Sequence, residues 1–334
     1  MIRVGINGFG RIGRSVFRIL SERKDIEVVA INDLFENEQL AYLLKYDTMM
    51  RVFPRAVTSD AAALYVDGRK VVMTAERDPA AIPWGALGVD VVIESTGVFT
   101  HREQLAKHLQ GGAKKVILTV PASDEIDATI VVGVNDETLK ATDRLVSNAS
   151  CTTNCLAPLA KILDDAFGIE EGFVTTVHAY TNDQRLADVP HKDFRRSRAA
   201  AENIIPTTTG AARAVGKVLP RLQGKLDGMA MRVPVPDGSI VDLVCRLREK
   251  PGVAEINRAV EEAAAGPLQR IVEYSEVALV SSDIIGNPHS SIFDALSTHA
   301  GGDGYAKVIA WYDNEWGYSN RVVDLIDRWM AVGS

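Results

Sequence analysis

A glycine-rich turn near the N-terminus constrains the fold of this chain more than any other feature. Residues 2–14 read IRVGINGFGRIGR, so a short β-branched strand runs into the pattern G-x-G-x-x-G of Gly8, Gly10 and Gly13. Apolar residues then recur at helical spacing, and a second apolar run, 27–31, ends in Asn32-Asp33. Such glycines let a pyrophosphate approach a helix N-terminus, while the acid accepts hydrogen bonds from a ribose. The motif predicts a dinucleotide-binding βαβ unit; a glycine turn without a ligand is the alternative.

Strand and helix signals alternate over residues 1–150, which predicts a doubly wound parallel sheet of the Rossmann type. Within it, Asp67-Gly68 is placed for a two-residue hairpin turn, and residues 128–134 are read as a strand. From residue 151 the strand-like runs are longer and the helices fewer, which predicts an α+β domain with a mainly antiparallel sheet. The fold class is therefore α/β. We expect domains at 1–150 and 151–316, with a helix over about 317–334 packing back on the first.

Cys151 is the strongest candidate for a catalytic residue. It lies in SNASCTTNC, residues 147–155, between an apolar strand-like run and an apolar helix-like run. A thiol in the first turn of a helix faces free N–H groups and the positive end of the dipole, so we expect its pKa to be lowered. His178, on a strand about one helix later, is the matching general base. Cys155, four residues on, forms a poor zinc site with Cys151, and no metal is expected.

Charge and cysteine content limit the remaining functions. The 37 basic and 44 acidic residues give a net charge of −7, which argues against a dedicated nucleic-acid surface. Three cysteines cannot form a disulfide framework, and neither a signal peptide nor a membrane-spanning run is evident, so a cytoplasmic location is expected. The basic cluster at 192–198 could be a solvated loop or a nucleic-acid patch. Because the protein is acidic overall, phosphate binding or ion pairing across a subunit interface is favoured.

From end to end the chain resembles the phosphorylating glyceraldehyde-3-phosphate dehydrogenases. The resemblance rests on NGFGRIGR at 7–14, SNASCTTNCLAP at 147–158, YTNDQR at 180–185, PHKD at 190–193, PTTTG at 206–210 and WYDNEWGY at 311–318. It implies a glycolytic and gluconeogenic oxidoreductase that converts D-glyceraldehyde 3-phosphate to 1,3-bisphosphoglycerate. NAD and inorganic phosphate would be consumed, through a hemithioacetal and a thioester on Cys151. It also implies a homotetramer of 222 symmetry.

The resemblance assigns further residues. Those for substrate and inorganic phosphate are Ser150, Thr152, Thr181, Arg196, Thr209, Gly210 and Arg232. Those for the cofactor, beyond the three glycines and Asp33, are Arg11, Ile12, Arg77, Ser95, Thr119 and Asn314. Departures from the family pattern at Arg51-Val52, Val120 and Ala179 remove no catalytic or anion-binding group.

Two other functions are weighed against this one. Erythrose-4-phosphate dehydrogenases share the cysteine motif but tend to lose the run at 180–185, which is intact here. A nucleotide-responsive binding protein without turnover would not need both Cys151 and His178.

Overall fold

The structure, a computed structural model, describes residues 1–332 and divides into two compact units. The first unit contains residues 1–130, 136–149 and the chain from Ser319 onward; the second contains residues 131–135 and Ser150–Tyr318. Residues 333 and 334, the end of the predicted C-terminal helix, lie outside the described residues. Among residues 1–332, no helix has both the length and the apolar character that crossing a membrane requires.

The first unit is built on a nine-stranded sheet. Its strands are β1 Ile2–Asn7, β2 Ile26–Asn32, β3 Val57–Ser59, β4 Ala63–Val66, β5 Arg69–Thr74, β6 Val91–Glu94, β7 Lys115–Leu118, β8 Ala128–Thr129 and β9 Leu145–Ser147; the helices are α1 Arg11–Leu20, α2 Asn37–Lys45 and α3 Arg102–Gln110. The strands follow the order β3-β4-β5-β2-β1-β6-β7-β9-β8. The strand β1 lies near the centre and pairs in parallel with β2 and β6, and β5, β7, β8 and β9 also join parallel pairs. This arrangement confirms the doubly wound parallel sheet.

An antiparallel extension closes one side of this sheet. Asp67 and Gly68 connect β4 to β5 with φ of 49° and 79°, so the predicted two-residue hairpin is confirmed. At the other side the prediction of a strand over 128–134 is wrong in length. The strand β8 covers two residues only, because residues 131–135 leave the sheet and belong to the second unit.

The second unit is built on an eight-stranded mixed sheet. Its strands are β10 Ile169–Ala179, β11 Ile205–Thr208, β12 Leu226–Val233, β13 Ser239–Leu247, β14 Val272–Ser275, β15 Ser291–Asp294, β16 His299–Ala300 and β17 Tyr305–Tyr312; the helices are α4 Cys151–Phe167, α5 Ala211–Val218, α6 Val253–Ala265 and α7 Trp316–Ala331, which continues into the first unit. The strands follow the order β11-β12-β10-β13-β17-β15-β14, with β16 beside β17. Most pairs are antiparallel, while β10 with β12 and β14 with β15 are parallel.

Helix α4 carries the central apolar surface of the second unit. It packs against β10, β13, β15 and β17, and between α5 and α6. Its N-cap is Ser150, whose Oγ accepts the N–H of Thr153 at 3.0 Å, which satisfies one of the free donors at the helix start. The preceding residue, Ala149, has φ of 55°, an uncommon conformation for a residue with a side chain. The backbone thus turns sharply just before Cys151.

Glycine is required in the N-terminal turn for two different reasons. Gly8 has φ of 89°, which favours glycine, and Gly13 approaches the turn so closely that an added Cβ would lie 2.2 Å from the Gly8 carbonyl oxygen. A Cβ added at Gly10 would meet no heavy atom within 4 Å. The turn and the first turn of α1 are therefore packed backbone to backbone, while Gly10 borders open space.

We expect Gly13→Ala to lower the midpoint of thermal unfolding, because the alanine methyl group must displace backbone at Gly8. Forced overpacking of this kind costs about 1–3 kcal/mol, which exceeds the roughly 1 kcal/mol that alanine gains over glycine inside a helix. Gly10→Ala is the matched control and should move the midpoint much less. An equal shift for both variants, measured by calorimetry without ligands, would contradict the close approach.

Candidate active site

A thiol and an imidazole face each other in the second unit. Cys151 begins α4 and His178 lies near the end of β10, and the Cys151 Sγ is 3.4 Å from the His178 Nε2. His178 is 4% exposed, whereas Cys151 keeps part of its surface open to solvent. The two candidates for catalysis therefore lie within proton-transfer distance, and the sulfur can still be reached by a small molecule.

Arg232 completes this group from the neighbouring strand β12. Its Nη1 lies 2.5 Å from the His178 Nδ1 and donates to the Ala179 carbonyl at 3.0 Å, while His178 Nδ1 is 2.7 Å from the same carbonyl. Nδ1 can donate to Ala179 or accept from Arg232, but one nitrogen cannot do both at once. When Nδ1 carries the proton, Nε2 is left as an acceptor that faces the thiol.

Burial, aided by a neighbouring positive charge, keeps the histidine neutral. Burial lowers the pKa of His178 to about 3, and the positive charge of Arg232 acts in the same direction. At neutral pH the imidazole is therefore unprotonated, as a general base must be before it accepts a proton.

For the thiol the expected direction of the pKa shift is wrong. Although Cys151 is partly accessible, the surrounding protein atoms raise the pKa of its thiol by desolvation, and this effect exceeds the lowering by Arg232 and by hydrogen bonds of Thr152. The start of a helix is not enough to stabilise a thiolate in so desolvated a position. Deprotonation therefore depends on His178 accepting the proton.

Cys155 differs from Cys151 in every respect that matters for reactivity. It is fully buried, its sulfur lies 3.7 Å from the Ser291 Oγ and 3.9 Å from the Ala310 carbonyl, and burial raises the pKa of its thiol strongly. Within residues 1–332, no three His, Cys, Asp or Glu side chains form a group that could hold a metal ion.

Tyr312 packs against the His178 ring, and its role was not identified from the sequence. Its hydroxyl lies 2.8 Å from the Thr152 Oγ1 and 2.9 Å from the Thr176 Oγ1, and its ring meets that of His178 edge to face at 5.8 Å. Burial raises the pKa of Tyr312 well above its usual value, so it remains a neutral hydrogen-bonding group. The side chain of Thr152, predicted to hold phosphate, is 4% exposed and bonded to this tyrosine.

Two of the predicted anion-binding residues, Arg232 and Arg196, lie near each other, and one of their donors is unused within residues 1–332. The Arg232 Nε is buried and has no hydrogen-bond partner among the described residues, and the charge of Arg196 acts on Arg232. Arg196 is itself held by Asp183 and by the Thr207 Oγ1, the latter at 3.0 Å. Two nearby guanidinium groups, one with an unused buried donor, form a site suited to an anion.

The remaining predicted anion ligands lie on three other segments. Thr181 follows β10, and its N–H donates to the Gln184 Oε1 at 3.2 Å. Thr209 follows β11, and its Oγ1 accepts the N–H of Ala211 at 3.2 Å. Gly210 is the N-cap of α5 and has open space where a side chain would stand. Ser150 shares a hydrogen bond with the Thr153 hydroxyl at 2.7 Å.

In the first unit, the predicted cofactor residues follow the carboxyl ends of the parallel strands. The Asp33 carboxylate accepts the N–H of Phe9 at 2.6 Å, and the Ser95 Oγ donates to the Gly8 carbonyl at 2.7 Å, so both hold the glycine turn. The positions after each strand are Gly8 to Gly13 with Arg11 and Ile12 after β1, Asp33 after β2, Arg77 after β5, Ser95 after β6 and Thr119 after β7. Ligands of open parallel sheets bind at this edge.

These residues fit a dinucleotide. The space beside Gly10 leaves room for a pyrophosphate at the start of α1, whose first turn holds no acidic side chain. Arg11 forms an ion pair with Asp47, and Arg77 is exposed. Thr119 donates to the Glu94 carbonyl at 3.0 Å.

A buried polar network behind this edge was also not predicted. The Glu94 carboxylate accepts from the Asn7 amide at 2.6 Å and lies 3.0 Å from the His108 Nε2, and the Asn32 amide donates to the Asn7 Oδ1 at 2.8 Å. Because the Trp84 indole donates to the His108 Nδ1 at 3.1 Å, the imidazole proton lies on Nε2 and points to Glu94. The network ties the ends of β1, β2 and β6 together.

A pair of carboxyl groups lies close to Asn314 in the second unit. Asp237 is fully buried and bonds with the side chain of Asp313. Burial, with the charges of Asp313 and Glu315, raises the pKa of Asp237 to about 9. Asp313 accepts the N–H groups of Gly286, Glu315 and Trp316, which favour its ionised form. The shared proton therefore resides on Asp237.

Comparisons with known proteins agree over nearly the whole chain. The family model "Glyceraldehyde 3-phosphate dehydrogenase, NAD binding domain" matches residues 2–102, and "Glyceraldehyde 3-phosphate dehydrogenase, C-terminal domain" matches residues 150–314. Glyceraldehyde-3-phosphate dehydrogenase of Priestia megaterium is 57% identical over 333 residues, or 99% of both chains. Glyceraldehyde-3-phosphate dehydrogenase 1 of Bacillus subtilis is 57% identical and that of Streptomyces coelicolor 58% identical, each over 97% of both chains.

We expect Asp237→Asn to flatten the dependence of stability on pH. A carboxyl group with a raised pKa in the folded state holds a proton that the unfolded state has lost, so stability falls as pH rises from about 4 towards 9, by at most about 1.4 kcal/mol per pH unit. Asparagine keeps a donor for Asp313 and does not titrate. The variant should gain stability over the wild type steadily from pH 5 to pH 8.

Urea unfolding at several pH values measures this difference. Asp303→Asn, at an exposed position, is the control for the change of aspartate to asparagine itself. A difference between Asp237→Asn and the wild type that stays constant from pH 5 to pH 8 would show that Asp237 is ionised.

Proposed function

The chain belongs to the glyceraldehyde-3-phosphate dehydrogenase family, and from that premise we propose which of its residues carry out the reaction. As a member it is an NAD-dependent oxidoreductase that oxidises glyceraldehyde 3-phosphate, an enzyme of glycolysis. The proposal concerns the roles of single residues, the use of inorganic phosphate, and the assembly and location of the protein. We also propose residues 1–150 as the NAD-binding domain and 151–316 as the catalytic domain.

Cys151 is the nucleophile and His178 the general base. The sulfur forms a bond to the aldehyde carbon while the thiol proton passes to the His178 Nε2; the imidazolium then gives that proton to the former carbonyl oxygen, and a neutral hemithioacetal results. His178 then takes the proton of the new hydroxyl group as the carbon is oxidised to a thioester. The nicotinamide ring, when bound, supplies the hydride acceptor. Inorganic phosphate attacks the thioester carbon, the bond to sulfur breaks, and an acyl phosphate leaves with Cys151 as thiolate.

One observation carries this assignment: the distance of 3.4 Å between the Cys151 Sγ and the His178 Nε2, with the Ala179 carbonyl 2.7 Å from the other ring nitrogen as the acceptor of its proton. Because both the raised pKa of the thiol and the lowered pKa of the imidazole favour the neutral pair, the proton moves as the sulfur attacks. A noncatalytic nucleotide-binding protein would have no need of this buried pair.

The substrate and the inorganic phosphate carry two anions that need separate sites. We assign Arg232 and Thr181 to the phosphate of the substrate, and Ser150, Thr152, Thr209 and Gly210 to inorganic phosphate, with Arg196 between them. The buried unpaired Nε of Arg232 and the open space at Gly210 support this division. NAD would be held by Asp33 at the ribose, by the glycine turn with Arg11 and Ile12 at the pyrophosphate, and by Asn314 at the nicotinamide; Arg77, Ser95 and Thr119 would line its pocket.

We place the protein in the cytoplasm as a homotetramer of 222 symmetry. All three cysteines are free, which suits a reducing compartment. The segment 181–201 exposes Leu186 and Phe194, each 87% accessible, which is unusual for large apolar side chains and suits a contact between subunits. Light scattering should return four times the mass of one chain; a stable monomer at micromolar concentration would refute the assembly.

We expect Cys151→Ser to abolish oxidation of glyceraldehyde 3-phosphate, whereas Cys155→Ser should leave most activity, because only Cys151 faces His178. His178→Asn should slow the reaction by about 10²–10⁴, as loss of a general base does. The same variant should react more slowly with iodoacetamide at neutral pH, since the thiol has lost its proton acceptor.

Initial rates are followed by the absorbance of the reduced cofactor, with the wild type assayed on erythrose 4-phosphate for comparison. If Cys155→Ser is as inactive as Cys151→Ser while both unfold like the wild type, the nucleophile has been misassigned.

We expect Arg232→Ala to raise KM for glyceraldehyde 3-phosphate more than KM for phosphate, and Thr209→Ala to do the reverse. Each variant removes donors from one anion only. Because charge-assisted hydrogen bonds contribute more than neutral ones, Arg232→Ala should raise its KM value by the larger factor. Thr208→Ala, at an exposed neighbour of Thr209, is the control. Equal effects of Arg232→Ala and Thr209→Ala on both KM values would contradict separate sites.

A further inference from the structure

One buried hydroxyl group joins the catalytic strand to Asn314. Ser239 begins β13 and is 1% exposed. Its Oγ accepts the backbone N–H of Ala179 at 3.0 Å and donates to the Asn314 Oδ1 at 2.6 Å. Ala179 follows His178 directly, and its carbonyl is the group that His178 and Arg232 share. The carbonyl group of Ala179 therefore contacts the base, and its N–H group connects through Ser239 to Asn314.

The donors and acceptors around Ser239 fix the orientation of the Asn314 amide. The serine hydroxyl has one proton, and with the Ala179 N–H directed at its oxygen that proton is free to point at Asn314. With the amide reversed, Ser239 would face two donors and its own buried proton would have no acceptor, at a cost of about 1–3 kcal/mol. Oδ1 thus faces Ser239 and Nδ2 points away. Nδ2 makes no hydrogen bond to residues 1–332.

The flanking residues hold the two segments side by side. Asp237 precedes Ser239 by two positions, Asp313 precedes Asn314 by one, and their carboxyl groups bond with each other. Gly238, with φ of 83°, lies so close to Ser281 that an added Cβ would be 2.2 Å from its carbonyl oxygen. The hydrogen bond between Ser239 and Asn314 is thus a second side-chain link between these segments, beside that of Asp237 with Asp313.

We propose that Ser239 is a positioning residue for the nicotinamide carboxamide. It holds Asn314 so that the Nδ2 hydrogens are presented to the carbonyl oxygen of the carboxamide, and it sets that direction relative to the strand that carries His178. Because Nδ2 can only donate hydrogen bonds, it binds the carbonyl oxygen of the carboxamide and not its amino group. This choice favours one rotation of the nicotinamide ring. The inference rests on the proposed contact of Asn314 with nicotinamide.

Binding of two ligands to the apo chain tests this role. NAD contains the carboxamide, whereas ADP-ribose lacks the nicotinamide ring and keeps the rest of the contacts. Isothermal titration of Ser239→Ala should show the dissociation constant for NAD raised about three- to tenfold, the effect of one hydrogen bond, and that for ADP-ribose unchanged within twofold. Ser290→Ala is the matched control, because Ser290 is 3% exposed and its hydroxyl has no partner among the described residues.

A double-mutant cycle separates positioning from general weakening. In an Asn314→Ala background, Ser239→Ala should produce no further loss of NAD affinity, since the amide that it orients is gone. If Ser239→Ala unfolds at 25 °C, Ser239→Cys, which keeps a weaker donor, takes its place with a smaller expected loss.

Three outcomes would overturn the inference: NAD affinity equal to the wild type, equal weakening for NAD and ADP-ribose, or additive losses in the cycle. Failure of the proposed function is distinguishable from these. It would show as Asn314→Ala binding NAD like the wild type, or as Cys151→Ser retaining activity, whatever the result at Ser239.

Discussion

The arrangement of the catalytic pair depends on one largely enclosed positive charge, the guanidinium of Arg232. It contacts the His178 ring at 2.5 Å, lowers the pKa of that ring together with burial, and is the main influence that lowers the pKa of Cys151. A guanidinium so placed, with its Nε buried and unpaired, costs the fold several kcal/mol unless an anion accompanies it. The buried charge of Arg232 therefore lowers the local stability of the empty site, as is typical of a site that binds an anion.

The sheet of the second unit fixes this contact through strand register. The parallel pairing of β10 with β12 runs without a shift from Gly172 opposite Leu226 to Ala179 opposite Val233, and it sets His178 opposite Arg232. A slip of one residue would turn the arginine to the other face of the sheet. On the other side, β13 pairs with β10 up to Val177 opposite Ile240, which brings Ser239 to Ala179. Three strands thus align the base, the guanidinium and the hydroxyl group.

Local features of the sequence predicted local features of the structure. The glycine turn, the Asp67-Gly68 hairpin and the start of α4 at Cys151 each follow from a few adjacent residues, and each is confirmed. The direction of the Cys151 pKa shift and the roles of Tyr312 and Ser239 could not be predicted. They arise from contacts between residues that are 60 to 160 positions apart in the chain. For Tyr312 a signal existed, because it lies inside the motif WYDNEWGY, but only the packing shows its partners.

The same Coulomb interaction links substrate binding to activation of the base. Under the proposed roles, a phosphate on Arg232 neutralises its charge, which raises the pKa of both His178 and Cys151 relative to the empty site. Proton transfer from thiol to imidazole depends on the difference between these two values. The phosphate therefore acts on both members of the pair, because the charge of Arg232 lowers the pKa of each of them. Substrate binding and the protonation of the catalytic pair are thus coupled through the charge of Arg232: a bound phosphate makes the imidazole a stronger base and the thiol a weaker acid.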